Sequence, residues 1–324
     1  MRVGPIVWGG LICLLESVAS GETSTGQIYA APFFSVPLLN LTIEPSAAAG
    51  PETPSVTYQP SVSPDLGLRI AYGAFGLSFS LPLKAPSSDG ESSEAPQSQY
   101  WDTKTAFYKT FIGAEAGIHR YQGFGQQATD AEEGSDALPF DLIKRGRYIN
   151  VLVFPMGNEL EFGQRIDENE HEGLRWSPLI QLAYDKMELE APSPLVPERL
   201  RLDYGEDAAM TAISIESYSA SGGAAMKYSD GLLQTTFAMT FGRALEAQEF
   251  MSVVADHENS QTMAERRSLG KRMSLRWGGD VSVDGWQCGL NILLDRHDSS
   301  LAKGTLTSDV GTFVMSVGTT FFSR

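Results

Sequence analysis

The sequence predicts an all-β fold, a transmembrane antiparallel β-barrel of about twelve strands within a range of ten to fourteen. Three observations predict it: an N-terminal segment with the parts of an export signal, long stretches in which every second residue is apolar, and short turns that alternate with long polar loops. In an outer membrane, the short turns would face the periplasm and the long loops the outside of the cell.

Residues 1–19 have the three parts of a secretory signal peptide. Arg2 supplies the positive start, positions 5–15 are apolar apart from two glycines, and residues 17–19 form a small-x-small cleavage site. The apolar run is much shorter than the roughly 20 residues that a membrane-spanning helix needs. We therefore expect cleavage after residue 19 and a mature barrel domain over 20–324.

Composition agrees with a barrel and excludes some classes of function. The net charge is -16, so the chain repels nucleic acid and is not expected to bind DNA or RNA. The hydrophobic fraction is 42%, which is ordinary for a soluble protein. It is also expected of a membrane barrel, because only alternate strand residues face lipid.

Alternation with period two is the main strand signal. Leu77, Phe79 and Leu81 alternate with serines, and Leu233, Thr235, Phe237, Met239 and Phe241 alternate with smaller or polar residues. Many of these segments approach the 9–11 residues of a tilted transmembrane strand and exceed the usual soluble strand of about 5–6 residues. The predicted strands are 33–43, 66–73, 74–83, 102–112, 114–122, 147–154, 175–188, 211–229, 232–243, 269–281, 286–296 and 310–322.

Turn and loop lengths also alternate along the chain. The predicted short turns are Gly73-Ala74, Gly113-Ala114, Asp230-Gly231 and Asp284-Gly285. The predicted long loops are 84–101, 122–146, 189–210, 244–268 and 297–309. Region 156–174 is ambiguous, because a further hairpin there would raise the strand count to fourteen.

In a membrane barrel the apolar face of each strand is turned outward. We therefore expect Phe79, Phe237, Trp277 and Phe313 to contact lipid. The basic side chains expected to point into the lumen are Arg69, Lys104, Arg120, Arg272 and Arg276. They would either line a narrow pore for anionic solutes or form ion pairs in a filled barrel, and the second is favoured because small barrels usually fill their lumen.

One part of the chain resembles a known family. The residues that carry the resemblance are Tyr58-Gln59-Pro60, LGLRIAYGAFGLSFSLPL at 66–83, Lys104-Thr105 and Tyr121-Gln122-Gly123-Phe124, with looser similarity at 150–154 and 218–242. They are similar to an uncharacterised family of outer-membrane barrels, domain of unknown function 4421. The resemblance implies an outer-membrane barrel and no particular activity.

Two residues provide an enzymatic alternative. His297 and Ser299 have the His-x-Ser spacing of barrel lipases and lipid A deacylases, in which the histidine activates the serine. The spacing is short and common, so a polar loop is the preferred interpretation and no catalytic residue is assigned. No cofactor-binding or metal-binding residue is assigned either, because none of the 4 histidines pairs at metal-ligand spacing.

The sequence thus predicts a non-enzymatic, porin-like protein of the bacterial outer membrane, either structural or a narrow channel for small solutes. The alternatives are a lipid hydrolase and a soluble secreted β-barrel that binds an apolar ligand. The expected partners are outer-membrane lipids, lipopolysaccharide and the barrel-assembly machinery, which reads C-terminal aromatics such as Phe321 and Phe322. Acidic runs at 130–133 and 167–170 could hold divalent cations that bridge lipopolysaccharide phosphates, although solvated loops are the simpler interpretation.

Overall fold

The fold is a closed antiparallel β-barrel. A computed structural model describes residues 27–46, 53–60, 64–72, 74–83, 99–109, 111–128, 138–156, 172–230, 232–253, 261–284 and 286–322. The strands are β1 (Gln27–Pro45), β2 (Val56–Pro60), β3 (Asp65–Tyr72), β4 (Phe75–Pro82), β5 (Gln99–Lys109), β6 (Ile112–Ala128), β7 (Leu138–Val153), β8 (Gly173–Glu190), β9 (Met210–Ser229), β10 (Leu233–Val253), β11 (Gln261–Val283), β12 (Trp286–Ser300) and β13 (Gly304–Phe322).

The ring closes because the first strand pairs with the last. β1 runs antiparallel to β13 from Gln27↔Phe322 to Pro45↔Gly304, and the other long strands pair with their neighbours in sequence. Closure removes the exposed sheet edges that would otherwise leave backbone groups unpaired. The predicted antiparallel barrel is confirmed, and "lower" hereafter means the end that holds both Gln27 and Phe322.

The number of strands around the ring changes with height. At the lower level the ring consists of β1 and β3 to β13, which is twelve strands. At the upper level β2 lies directly between β1 and β6 and takes the place of β3, β4 and β5, which leaves ten. β6 exchanges its partner β5 for β2 across a bulge between Gln122 and Phe124, where Gly123 has φ 83°. This positive φ favours glycine, and the bulge bends β6 where the ring narrows.

Two of the predicted connections are wrong. Gly113-Ala114 is not a turn, because β5 ends at Lys109 and β6 already begins at Ile112. The predicted long loop at 297–309 is a short connection at 301–303, because β12 and β13 continue upward as paired strands. The upper strands also extend into the predicted loops 122–146 and 244–268. The turn at Asp284 is as predicted, with φ 50° at this residue.

Some predictions lie outside the described residues. They are the signal peptide at 1–19, the acidic runs at 130–133 and 167–170, and most of region 156–174. Among the residues that the structure does describe, no helix is long and apolar enough to cross a membrane.

In the lower half of the barrel the outward face is largely apolar, and the interior holds charged side chains together with buried apolar clusters, one of which includes Leu152, Phe154 and Leu179. Phe79 is 44% exposed and Trp277 36%, whereas Phe237 and Phe313 are partly exposed on the same outward face. An outward apolar face is the arrangement of a membrane barrel, and a soluble barrel would turn it inward. Arg69, Lys104, Arg272 and Arg276 line the interior, as predicted.

The prediction for Arg120 is wrong. Its neighbours His119 and Tyr121 line the lumen, so strand alternation turns Arg120 to the outer surface. There its guanidinium donates to the side chain of Gln122, two residues further along the same face, at 3.2 Å.

Candidate functional site

The lumen of the lower half is filled by a network of ion pairs. The Arg276 guanidinium donates to the Glu115 carboxylate at 2.7 Å, and the Tyr108 hydroxyl donates to the same carboxylate. Arg272 pairs with Asp185, and its guanidinium also donates to the side-chain oxygen of Asn150 at 3.3 Å. Because both guanidiniums have carboxylate partners, the charges inside the barrel are largely balanced in pairs.

The described part of the ring encloses small cavities, of which two bear on a passage through the barrel. One has about 180 Å³ and is lined by Arg69 among others, and the second, with about 100 Å³, reaches up to Lys144 and His297. Glu115, Tyr148 and Arg276 line both of them. The salt bridge between Glu115 and Arg276 thus lies where the two cavities adjoin, so these side chains would have to move before a solute could pass.

The predicted His297–Ser299 pair lies inside the barrel. Both side chains contact Glu246: the Ser299 hydroxyl donates to its carboxylate at 3.0 Å, and the His297 Nε2 lies 2.8 Å from it. Burial raises the pKa of Glu246, but hydrogen bonds from His297, Ser268 and Gln248 outweigh burial and lower it overall. Since Ser299 is 1% exposed and donates to a carboxylate rather than to the histidine, the two residues do not form an activated His–Ser pair here.

Lys144 is a second buried ionisable group at the top of the lumen. It is 1% exposed, and its ammonium donates to the Ser308 hydroxyl at 2.7 Å. Burial lowers the pKa of Lys144 from its ordinary value of 10.5 to about 7. Lys144 was not selected from the sequence alone. Its enclosure becomes visible only when the structure shows which residues of β7 point into the barrel.

The connection between β8 and β9 folds into the upper mouth of the ring. This segment, residues 191–209, is here called the outer plug. It contains a turn of 3-10 helix at Glu198–Leu200, helix α1 at Arg201–Tyr204 and a second 3-10 turn at Gly205–Ala209. The hydrophobic plug side chains that are almost fully buried are Leu195, Val196, Leu200, Tyr204 and Ala208, and the carboxylate residue Asp207 is buried beside them.

The plug packs into an apolar core contributed by many strands of the ring. The core side chains come from β1, β2, β5 to β9 and β13, among them Leu41, Tyr58, Phe124, Leu142, Ile213 and Leu306. Burial of this set is the main energetic reason for the plug to stay inside, at roughly 25 cal/mol per Å² of apolar surface removed from water.

Hydrogen bonds fix the position of the plug. The Tyr58 hydroxyl donates to the carbonyl of Leu195, and the Tyr204 hydroxyl lies 3.0 Å from the carbonyl oxygen of Ile43. The Asp207 carboxylate accepts from the backbone N–H groups of Ala302 and Lys303 at 3.1 and 2.7 Å. These bonds tie the plug to β1, β2 and the β12–β13 connection, which closes the upper mouth.

The sequence contains a signal for this upper core that the strand prediction missed. In β1 the outward, even positions are apolar up to Leu38 and polar from Asn40 onward, and the inward, odd positions are apolar from Leu39 to Ile43. In β9 the apolar residues occupy odd positions at Ile213 and Ile215 and even positions from Tyr218 onward. Because alternate residues of a strand keep their faces, this change of phase transfers the apolar residues from the outside to the inside.

Among the described residues, no group of three or more His, Cys, Asp or Glu side chains could hold a metal ion. The described residues form a polar lumen with an apolar plug packed in its upper mouth. The candidate site is the passage through the barrel, with the outer plug and the Glu115–Arg276 pair as its two obstructions.

Comparisons with known proteins found similar barrels only among solved structures. Outer membrane protease OmpT from Escherichia coli is 9% identical, with a TM-score of 0.42, over 93% of this chain and 100% of that chain. The Pseudomonas putida toluene transporter TodX is 10% identical with a TM-score of 0.30, over 93% and 92%. The translocator domain of autotransporter NalP from Neisseria meningitidis is 10% identical with a TM-score of 0.31, over 98% and 96%. No family model matches the chain, and no curated protein matches it.

Proposed function

We propose that this chain is a non-enzymatic barrel of the bacterial outer membrane, structural in role and closed to solutes at its outer mouth. The observation that carries the proposal is the sidedness of the lower half, where large apolar side chains such as Leu77 and Phe79 face outward around an ion-paired interior. The termini and the shortest turns would then face the periplasm, and the outer plug would face the outside of the cell.

Membrane insertion is the first test. The folded chain should fractionate with the outer membrane and migrate faster on a gel before heating than after it. A chain that fractionates with soluble proteins would overturn the proposal and favour the secreted barrel.

A narrow channel is the second candidate, and the two internal cavities favour it. Conductance in a planar lipid bilayer distinguishes it from the structural barrel. We expect no steady current for the wild type and a current for the double variant Leu200→Asp with Tyr204→Asp, which places charge in the plug core. The matched control is Leu202→Asp, because Leu202 lies in the same plug but is 97% exposed. A steady current through the wild type would establish the channel instead.

The hydrolase alternative has a separate test. Ser299→Ala should leave the turnover of phospholipid and lipid A at the background of the wild type. Loss of a measurable wild-type turnover in this variant would overturn the non-enzymatic proposal, because it would make Ser299 the nucleophile despite its hydrogen bond to Glu246.

A further inference from the structure

The upper border of the outward apolar band is marked by basic side chains. On six strands the first charged residue on the outward face, counted from the lower end, is Lys or Arg: Arg120, Arg147, Lys186, Arg243, Lys271 and Arg296. On β10 and β11 one more apolar pair, Leu245 and Leu269, lies directly above Arg243 and Lys271. We call the six basic residues the outer cation ring. Each lies two residues above an apolar side chain of its strand, as Arg147 lies above Ile149 and Arg243 above Phe241.

Composition does not explain this concentration of positive charge. The chain holds 24 basic and 40 acidic residues, so acidic side chains should predominate at any level of the outer surface. The lower border of the band differs from the upper one, since the aromatic residues Tyr72, Phe75, Tyr228 and Trp286 stand there. Basic side chains are therefore concentrated at one border of the band, the one nearer to the plug, where Glu216 and Asp309 are the acidic residues at the same level on β9 and β13.

The register places basic side chains of the ring directly opposite one another. Arg243 pairs with Lys271 across β10 and β11, and Arg147 pairs with Lys186 across β7 and β8. Like charges at directly opposite positions of a sheet destabilise it. An anion that lies between the two side chains would reverse the sign of that interaction.

The partners of these side chains show where an anion is most needed. Lys186 forms a 2.8 Å ion pair with Glu188, and Arg296 forms a 3.1 Å ion pair with Asp298. In the part of the chain that the structure describes, Arg243 and Lys271 form no ion pair, and both are exposed. The Arg147 guanidinium donates only to the Tyr184 hydroxyl, at 3.4 Å.

The level of the ring identifies the class of anion. Side chains that follow immediately after the apolar band of a membrane protein lie among the lipid head groups, and tyrosines such as Tyr184 and Tyr218 are typical of that level. The anionic group found there is the lipid phosphate. Guanidinium and ammonium groups form short, charge-assisted hydrogen bonds with phosphate oxygens.

The strands continue well above the ring, which favours a lipid with a large head group. β10 extends ten residues beyond Arg243 to Val253, which is roughly 33 Å along the strand at about 3.3 Å per residue. The outward face of β8 and β9 at this height carries polar residues such as Glu188, Glu190 and Ser214, whereas β10 and β11 also expose Leu245, Leu269 and Met263. Sugars attached to the lipid would contact this wall, whereas a phospholipid head group would end at the ring.

We propose that the outer cation ring binds the phosphate groups of a phosphorylated glycolipid in the outer leaflet, with Arg243–Lys271 and Arg147–Lys186 as two phosphate sites. This inference rests on the proposed outer-membrane location and names the lipid that would surround the barrel. It also fixes the orientation, because the leaflet that contains the glycolipid must be the one at the plug end.

Binding measurements on the purified full-length barrel in detergent micelles test the proposal. The probes are lipid A with both phosphates, dephosphorylated lipid A and phosphatidylglycerol. The ring variants are Arg243→Gln with Lys271→Gln, and Arg147→Gln with Lys186→Gln. The matched control is Lys109→Gln with Arg201→Gln, which removes the same charge from the lower edge and from the plug.

We expect each ring variant to bind lipid A about tenfold more weakly than the wild type, because one charge-assisted contact contributes about that factor. The control should bind lipid A as tightly as the wild type. Dephosphorylated lipid A should bind the wild type, the ring variants and the control with the same affinity. Without lipid, the Arg243→Gln with Lys271→Gln variant should unfold at the same temperature as the wild type or higher, since two opposed like charges without ion-pair partners among the described residues are removed.

Two results would overturn the inference: unchanged lipid A binding by both ring variants, or equally tight binding of phosphatidylglycerol and lipid A to the wild type. Failure of the proposed location would look different, because then neither the wild type nor the control would insert into lipid vesicles.

Discussion

Below the outer cation ring the outward face is largely apolar and the lumen holds ion pairs, whereas above it β1 and β9 turn polar side chains outward and apolar ones toward the plug. In β9, Tyr228 and Met226 face outward in the lower half, and Ser219 and Ser221 face the lumen. In its upper half Glu216 faces outward and Ile215 is buried against the plug. Each strand keeps the same alternation of inward and outward residues along its length. The change from apolar to polar outward residues therefore reflects the medium around the barrel, lipid below and water above, and not a change in strand geometry.

The comparison shows that the two halves of one barrel are stabilised in different ways. The lower half obeys the rule for lipid, in which backbone pairing and polar networks stabilise the interior. The upper half obeys the rule for water, in which an apolar core stabilises the structure. The outer plug is needed only in the upper half, because a ring of ten strands leaves apolar inward faces that no strand covers.

The largest expected effect tests the upper core. Leu41→Ala should lower the free energy of unfolding by about 2–5 kcal/mol, because Leu41 is fully buried and the variant leaves a cavity. The control is Leu38→Ala, on the outward face of the same strand, where the loss should be much smaller. Urea unfolding in lipid vesicles, followed by tryptophan fluorescence, measures both. Equal losses would show that the two faces of β1 do not differ as described.

The second prediction tests the outward face in the same way. Phe79→Arg should destabilise the barrel by about 2–4 kcal/mol, the cost of an arginine on the lipid-facing surface near the middle of a bilayer. Thr42→Arg places the same side chain on the outward face of the upper half and should be tolerated. The yield of folded, heat-modifiable protein in vesicles reports both effects. A tolerated arginine at position 79 would place the lipid boundary elsewhere.

The third prediction concerns Lys144, which lies where the two interiors meet. Its pKa is about 7 in the folded chain and near the ordinary 10.5 in the unfolded chain. Between these pH values the unfolded chain binds more protons, so stability rises with pH by up to about 1.4 kcal/mol per unit. Lys144→Met should abolish this slope and raise stability at pH 7.

Unfolding at pH 7, 8 and 9 measures the slope. Lys109→Met serves as its control, because Lys109 is exposed and its removal should leave the pH dependence unchanged. A slope that persists in Lys144→Met would show that other groups titrate in this window.

The sequence predicted the ring well and its upper contents poorly, and the reason is physical. Alternation shows which residues of a strand share a face. It therefore predicted strands such as β4, and it predicted that Arg276 points into the lumen. Arg120 was misplaced because a basic residue was assumed to face the lumen. The outer plug has no periodic pattern, and its burial depends on contacts with distant strands. β2 does alternate, with Val56 and Tyr58 buried, but its five residues are too few for the pattern to stand out.

The smallest expected effect tests the attachment of the plug. Tyr204→Phe keeps the ring in the upper core but removes the hydroxyl that lies 2.8 Å from the carbonyl oxygen of Pro54 and 3.0 Å from that of Ile43. The loss should be about 1 kcal/mol, the usual net contribution of one such hydrogen bond. Tyr228→Phe is the matched control at the lower border, where the side chain faces outward. Hydrogen exchange should show faster exchange at plug amides such as Leu195 in Tyr204→Phe alone, and equal exchange in the two variants would mean that apolar packing alone retains the plug.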